Sequence, residues 1–198
     1  MMDIEGFILV GGASSRMGRD KARLTLQGRS FVELICEALG QVAGRVNLAG
    51  AKNVDASLKI ESVADVYEGW GALGGLHGAL AACRADWAAV SACDLPFVTG
   101  ELFARLAALR EDSEAVVPRQ RDGRLQPLCA LYRAEVCREA ARRLIECGER
   151  RPRALVQEVR ARVVAWEELA DLTGASLFFE NVNTPLDYEN ARSRFGDE

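Results

Sequence analysis

The stretch Phe7–Leu24, FILVGGASSRMGRDKARL, decides the fold. Phe7-Ile8-Leu9-Val10 is a short apolar run, as expected of a strand buried on both faces of a parallel sheet. It stops at Gly11-Gly12 and continues through Ser14, Ser15, Arg16, Gly18, Asp20 and Lys21. Glycine lets the backbone bend sharply and approach a ligand closely. The N–H groups of such a loop cradle phosphate oxygens. Arg16 and Lys21 place two cations on the same loop, which suits a polyphosphate. Two other phosphate loops do not fit. GxxxxGK[ST] fails because Arg19-Asp20 follow Gly18, and GxGxxG fails at Ala13 and Arg16.

Outward from this stretch, strands and helices alternate. Phe31, Leu34, Ile35, Ala38, Leu39 and Val42 recur at helical spacing. Extended runs are expected at Arg45–Gly50, Leu58–Val63 and Trp87–Ala92, the last ending in Cys93-Asp94-Leu95-Pro96. A helix over Leu76–Arg84 follows the glycine-rich turn Gly69-Trp70-Gly71-Ala72-Leu73-Gly74-Gly75. Thr99 is placed to cap a helix over Glu101–Leu109. Glu114–Pro118 and Pro127–Tyr132 read as strands around the turn Arg121-Asp122-Gly123. A helix over Ala134–Glu146 is stopped by Gly148. Ala161–Trp166 and Leu177–Glu180 are expected strands. Thr184-Pro185-Leu186-Asp187 opens the last helix, with Thr184 as cap, Pro185 in the first turn and Asp187 three residues past the cap. The pattern predicts an α/β fold: a mainly parallel central sheet, helices on both faces and some antiparallel strands in the second half. Ligands of such sheets bind at the carboxyl ends of the strands, where both the Gly11-Gly12 loop and Asp94 fall.

With 198 residues, 49% of them hydrophobic, residues 1–198 are expected to form one domain with a substantial core. The 25 basic and 29 acidic residues leave a net charge of −4 without long blocks of one sign, so no nucleic-acid surface is expected. No run approaches the ~20 apolar residues that span a bilayer. Met1-Met2-Asp3-Ile4-Glu5 lacks the basic start of a signal peptide, so a cytoplasmic location is expected. The six cysteines form no CxxC pair and there is one histidine, which disfavours a zinc site. That histidine, His77, is expected at a helix start or on the surface.

The loop pattern LxGGxSxRMGxDK resembles the signature of nucleotidyltransferases that transfer NMP from an NTP. Its double glycine and its Asp20-Lys21 ending resemble most the molybdenum cofactor guanylyltransferase family. Asp94 stands in a DxP pattern that matches the family's metal-binding aspartate. Gly71-Ala72-Leu73-Gly74-Gly75 resembles the family's GPLxG turn, with Ala72 where proline is usual. Asp65, shortly before it, matches an aspartate that contacts the guanine nucleotide. A carboxylate accepts from both N1–H and N2–H₂ of guanine, although a turn residue accounts for Asp65 equally well. The family's asparagine after the second strand falls at Ala49 here. Asn47, two residues earlier and on the same strand face, is the one residue placed to replace it. Phe179-Glu180-Asn181-Val182-Asn183-Thr184-Pro185-Leu186-Asp187 resembles FxNxNTPxD, and Gly148-Glu149-Arg150-Arg151 resembles a family GERR segment.

The resemblance implies a Rossmann-like nucleotidyltransferase fold and a Mg²⁺-dependent transfer of GMP from GTP to the terminal phosphate of molybdopterin cofactor. It assigns catalysis to Arg16, Lys21 and Asp94, and the metal to Asp94. It assigns the nucleotide to Leu9, Val10, Gly11, Gly12, Lys21, Asp65 and Asp94, and the acceptor to Arg150, Arg151, Asn181 and Asn183. Transient contact with proteins that handle the cofactor goes with that activity. Competing expectations are a cytidylyltransferase for the same cofactor, a sugar-phosphate nucleotidyltransferase, and a noncatalytic nucleotide-binding or carrier protein.

Overall fold

Burial on both faces is what turns the apolar runs into strands. In Trp87–Ala92 all six residues are buried, and in Ile4–Leu9 all but the first. The computed structural model describes residues 3–10, 24–50 and 60–195. Among these the elements are β1 (Ile4–Leu9), β2 (Thr25–Leu26), β3 (Arg29–Ser30), α1 (Phe31–Gly40), β4 (Val46–Ala49), β5 (Glu61–Val63), α2 (Gly71–Ala82), β6 (Trp87–Ala92), α3 (Gly100–Ala108), β7 (Ala115–Pro118), β8 (Cys129–Arg133), α4 (Ala134–Glu146), α5 (Pro152–Glu158), β9 (Ala161–Val164) and α6 (Pro185–Phe195). None of the described helices is long and apolar enough to cross a membrane.

Seven strands form one sheet in the order β5-β4-β1-β6-β8-β7-β9, with β2 and β3 as a separate hairpin. Only β8 runs against its neighbours, pairing antiparallel with β6 and β7. It is reversed because the Gln120–Gly123 turn, with Gly123 at φ +87°, sends the chain straight back after β7. Alternate residues of β1 serve opposite layers. Ile8 packs with Ile35 and Leu39 of α1 and Leu102, Phe103 and Leu106 of α3. Phe7 packs with Leu73, Leu76 and Leu80 of α2, Ala141 of α4 and Leu155 of α5. Helices therefore cover both faces, as the alternation implied.

Four expectations need correction. The Gly71–Gly75 run does not precede a helix but opens α2, because close packing there outweighs glycine's poor helix propensity. The segment 177–180 is not a strand. It ends a 3₁₀ turn over Ala175–Leu177, and the bonds from Phe178 N to Ala175 O and from Glu180 N to Leu177 O satisfy its backbone locally. Its two phenylalanines are core plugs rather than one face of a strand. His77 is neither at a helix start nor on the surface; it is 5% exposed in the second turn of α2. Ala161–Trp166 stops as a strand at Val164, and Trp166 begins a 3₁₀ turn. The short helix α5, opened by Pro152, was not foreseen.

Candidate active site

The parallel strands β1, β4, β5 and β6 end together. Val10 N donates to Ala49 O at 2.9 Å, Gly50 N to Val63 O at 3.1 Å, and Cys93 N to Leu9 O at 3.1 Å. Leu9 and Val10 thus sit on the common rim through their main chain, Leu9 buried and Val10 half-buried. Gly11, Gly12, Arg16 and Lys21 lie outside the described residues. β1, after which they follow in the chain, lies between β4 and β6 in the sheet.

Asp94 stands on the β6 side. The chain turns there through Leu95 N donating to Ala92 O at 3.2 Å, leaving the Asp94 side chain half-buried at the rim. Asp94 O accepts from Val182 N at 2.9 Å, and this one bond brings the Asn181-Val182-Asn183 motif to the strand end. Val182 itself is buried with Leu24, Phe31 and Phe97, which binds the hairpin, the loop after β6 and α6 into a small third core. Asn183 is then fixed by the start of α6. Asp187 Oδ2 accepts from Asn183 N at 2.9 Å and Thr184 N at 2.8 Å, while Asp187 N donates to Thr184 Oγ1 at 3.1 Å. This is the predicted cap. It leaves Asn183 half-buried and Asn181 exposed, one on each side of Val182.

Asp65 stands on the β5 side, in a cradle of glycines. A Cβ on Gly50 would lie 3.2 Å from its Oδ1, one on Gly78 3.3 Å and one on Gly75 3.9 Å. Gly50 also has φ +84°, which other residues adopt only with strain. Of the α2 glycines, Gly78 is the one whose side chain would press on the carboxylate, Gly75 being in ordinary contact with it. Asp65 follows β5 and Asp94 follows β6, so the two stand on opposite sides of the end of β1.

Asn47 does not reach this rim. It is buried, and its amide donates to Glu5 Oε1 at 2.8 Å, while Glu5 Oε2 accepts from Arg84 N at 2.8 Å. Its polarity serves that buried carboxylate, so it does not replace the asparagine missing at Ala49. Arg150 and Arg151 follow α4, whose end is closed by Gly148 at φ +87°. Arg151 is drawn to Glu149, whose Oε1 accepts from Arg151 Nε at 2.8 Å and Oε2 from Arg151 Nη2 at 2.6 Å. Hydrogen bonds from the Arg151 side chain and from the Arg151 and Arg150 amides hold the Glu149 carboxyl down at about 2. Arg150 lies instead over the ring of Trp70, with Cζ 4.9 Å from the centroid. Sequence reasoning gave Trp70 no role. Its only signal was an aromatic residue between two glycines at the mouth of α2.

The oxygen donors at the β6 end fit a magnesium ion. Mg²⁺ is commonly held by one or two carboxylates, with phosphates and water completing the shell. Asp94 offers a carboxylate and Asn183 an amide oxygen. Among the described residues no group of three His, Cys, Asp or Glu is gathered that could hold a metal by itself. Such a site would depend on the nucleotide for its remaining ligands.

Residues 6–163 match the family model described as the MobA-like NTP transferase domain. The chain belongs to that family. As a MobA-like NTP transferase it is a nucleotidyltransferase, and its relatives carry a consistent name. A protein of Pelotomaculum thermopropionicum named "Probable molybdenum cofactor guanylyltransferase" is 32% identical, covering 97% of this chain and 93% of its own length. One of Carboxydothermus hydrogenoformans with the same name is 30% identical, covering 96% and 95%. Among solved structures, molybdopterin-guanine dinucleotide biosynthesis protein A from Archaeoglobus fulgidus superposes with a TM-score of 0.82 at 25% identity, covering 98% of this chain and all of that one. This MobA-like NTP transferase shares its mixed sheet with that structure.

Proposed function

We propose that the protein transfers GMP from GTP to the terminal phosphate of molybdopterin cofactor, forming molybdopterin guanine dinucleotide and releasing pyrophosphate. The observation that carries this reading is the pair of carboxylates, Asp65 and Asp94, set on either side of the end of β1, with Val182, the neighbour of Asn183, bonded to the Asp94 carbonyl. The relatives' names agree with it.

Asp65 accepts from the N1–H and N2–H₂ edge of guanine, a pattern that cytosine and adenine do not offer. The backbone of Gly11 and Gly12 receives the phosphates, next to Leu9 and Val10. Asp94 and Asn183 would hold Mg²⁺, which when bound neutralises phosphate charge and orients the triphosphate. An acceptor phosphate oxygen attacks the α-phosphorus, the bond from that phosphorus to the β-phosphate bridging oxygen breaks, and the electron pair leaves with pyrophosphate. Arg16 and Lys21 offset the negative charge that builds along this path. The acceptor is already an anion, so no side chain has to remove a proton. Of the four residues that the resemblance assigns to the anionic acceptor, Arg150, Arg151, Asn181 and Asn183, Arg151 and Asn181 keep that role here. The reaction draws on cytoplasmic GTP, and cytoplasmic location belongs to the proposal.

The test is a transfer assay with molybdopterin cofactor, Mg²⁺ and each of GTP, CTP and ATP, with calorimetry of nucleotide binding beside it. GTP is expected to bind and react in preference, because a mismatched base leaves buried polar groups unpaired. Equal or better use of CTP would place the protein with the cytidylyltransferases. Nucleotide binding without turnover would make it a carrier. Lys21→Ala is expected to lower turnover on the order of 10²-fold.

A further inference from the structure

Gly148-Glu149-Arg150-Arg151 is a turn whose two arginines do different things. Glu149 Oε1 accepts from Arg150 N at 2.8 Å and Arg151 N at 2.9 Å, which folds the turn around one carboxylate. The Arg151 side chain joins that carboxylate, whereas the Arg150 guanidinium crosses to the loop before α2. It covers the Trp70 ring, and its Nη1 lies 3.5 Å from Gly69 O.

The loop it covers is the one that begins at Asp65. The Tyr67 ring meets His77 edge-on, centroids 4.9 Å apart. Trp70 N donates to Tyr67 O at 3.4 Å. Gly74 leaves no room for a side chain: a Cβ there would lie 2.8 Å from Trp70 Cβ and 2.9 Å from Tyr67 O. Trp70 stands between Gly69 at φ +76° and Gly71 at φ +64°, two backbone hinges that a weakly held ring would not restrain. Arg150 is the cation over that ring, and it comes from 81 residues past Gly69, whose carbonyl it also meets.

We infer that Arg150 is a positioning residue for nucleobase recognition, acting through Trp70 on the Asp65 loop, and not a ligand of the acceptor. This rests on the reading of Asp65 as the guanine contact. Trp70 is half-buried and Arg150 exposed, so the contact belongs to the solvent-facing kind, whose contribution is modest.

The experiment compares Arg150→Ala, Arg150→Lys and Trp70→Ala with the wild-type chain. Binding of GTP and CTP is measured with no acceptor present, acceptor KM is measured separately, and amide exchange is followed across residues 65–71. Arg150→Ala and Trp70→Ala are each expected to weaken GTP binding about fivefold, with a smaller effect on CTP. The double variant is expected to be little worse than either single one. Arg150→Lys, which keeps a cation over the ring, should recover most of the loss. Exchange should quicken between Tyr67 and Gly71 and stay unchanged elsewhere. A raised acceptor KM with unaltered GTP affinity, or unaltered exchange in the loop, overturns the inference. If the wild-type chain binds no GTP, it is the guanylyl reading that fails. The exchange arm then still decides whether Arg150 restrains the loop.

Discussion

Asp94 and Asp65 are the same residue type held by different means, and substitutions should separate them. Asp94 is joined to the C-terminal motif by its main-chain carbonyl, so its side chain is dispensable for that contact. Asp94→Asn is expected to lower transfer on the order of 10²-fold or more while the thermal midpoint stays put. A Mg²⁺ titration should recover little of the activity. Wild-type activity in that variant would make Asp94 a turn residue. Asp65 is held by the space around it. Gly50→Ala puts a methyl 3.2 Å from its Oδ1 at a φ of +84°. A loss of about 1–2 kcal/mol in urea unfolding is expected from the backbone alone, together with weaker GTP binding. Both carboxylates were legible in the sequence, since one follows an apolar strand and the other precedes a glycine-rich run. The partner of Arg150 was not, because nothing local to the GERR segment points to a tryptophan so far away in the chain.

At the scale of elements, α6 and α2 differ in how far sequence could go. The cap of α6 was legible to the residue because Thr184, Pro185 and Asp187 act on their immediate neighbours. Thr184→Ala is expected to cost about 1 kcal/mol in denaturant unfolding, and to lower activity further through the loosened Asn183. The opening of α2 was not legible, because Gly74 answers to Trp70 and Tyr67 on the loop before the helix, contacts that the sequence pattern does not display. Nor was the place of His77, which faces Tyr67 on the loop and Arg138, Glu139 and Arg142 of α4. Burial is the main cause that lowers its pKa, with the two arginines adding to it. The folded state therefore resists protonating it. Its contribution to stability is full above the ordinary imidazole value near 6.5 and is lost as pH falls below that toward the depressed value. Thermal midpoints between pH 8 and 5 should show this decline in the wild type and a flatter profile in His77→Leu. Parallel profiles would remove His77 as the cause.

For the molecule as a whole, the alternation of elements was enough to predict a largely parallel sheet with helices on both faces. The order in which strands lie side by side was not, since it depends on which face each helix crosses. The prediction at this scale is thermodynamic. A ligand that binds only the folded chain stabilises it by mass action, by about 2.7 kcal/mol at a hundred times its Kd. GTP with Mg²⁺ should raise the unfolding midpoint more than CTP or ATP at equal concentration. An equal rise for all three would mean that the site reads phosphates and not the base.

The bond from Val182 N to Asp94 O has a consequence for biosynthesis. Its partners are 88 positions apart, 182 against 94, and one follows β6 in the middle of the chain while the other comes late in translation, after β9. Chains emerge and fold from the N-terminus. A ribosome that has delivered all seven strands of the sheet has therefore still not supplied the segment that closes the Asp94 corner. The nascent protein holds its scaffold before it holds its chemistry, and cannot turn over substrate until residue 182 is free of the exit tunnel. Stalled chains ending just before and well after this residue should differ sharply in guanylyl transfer, while sharing the protease resistance of the sheet.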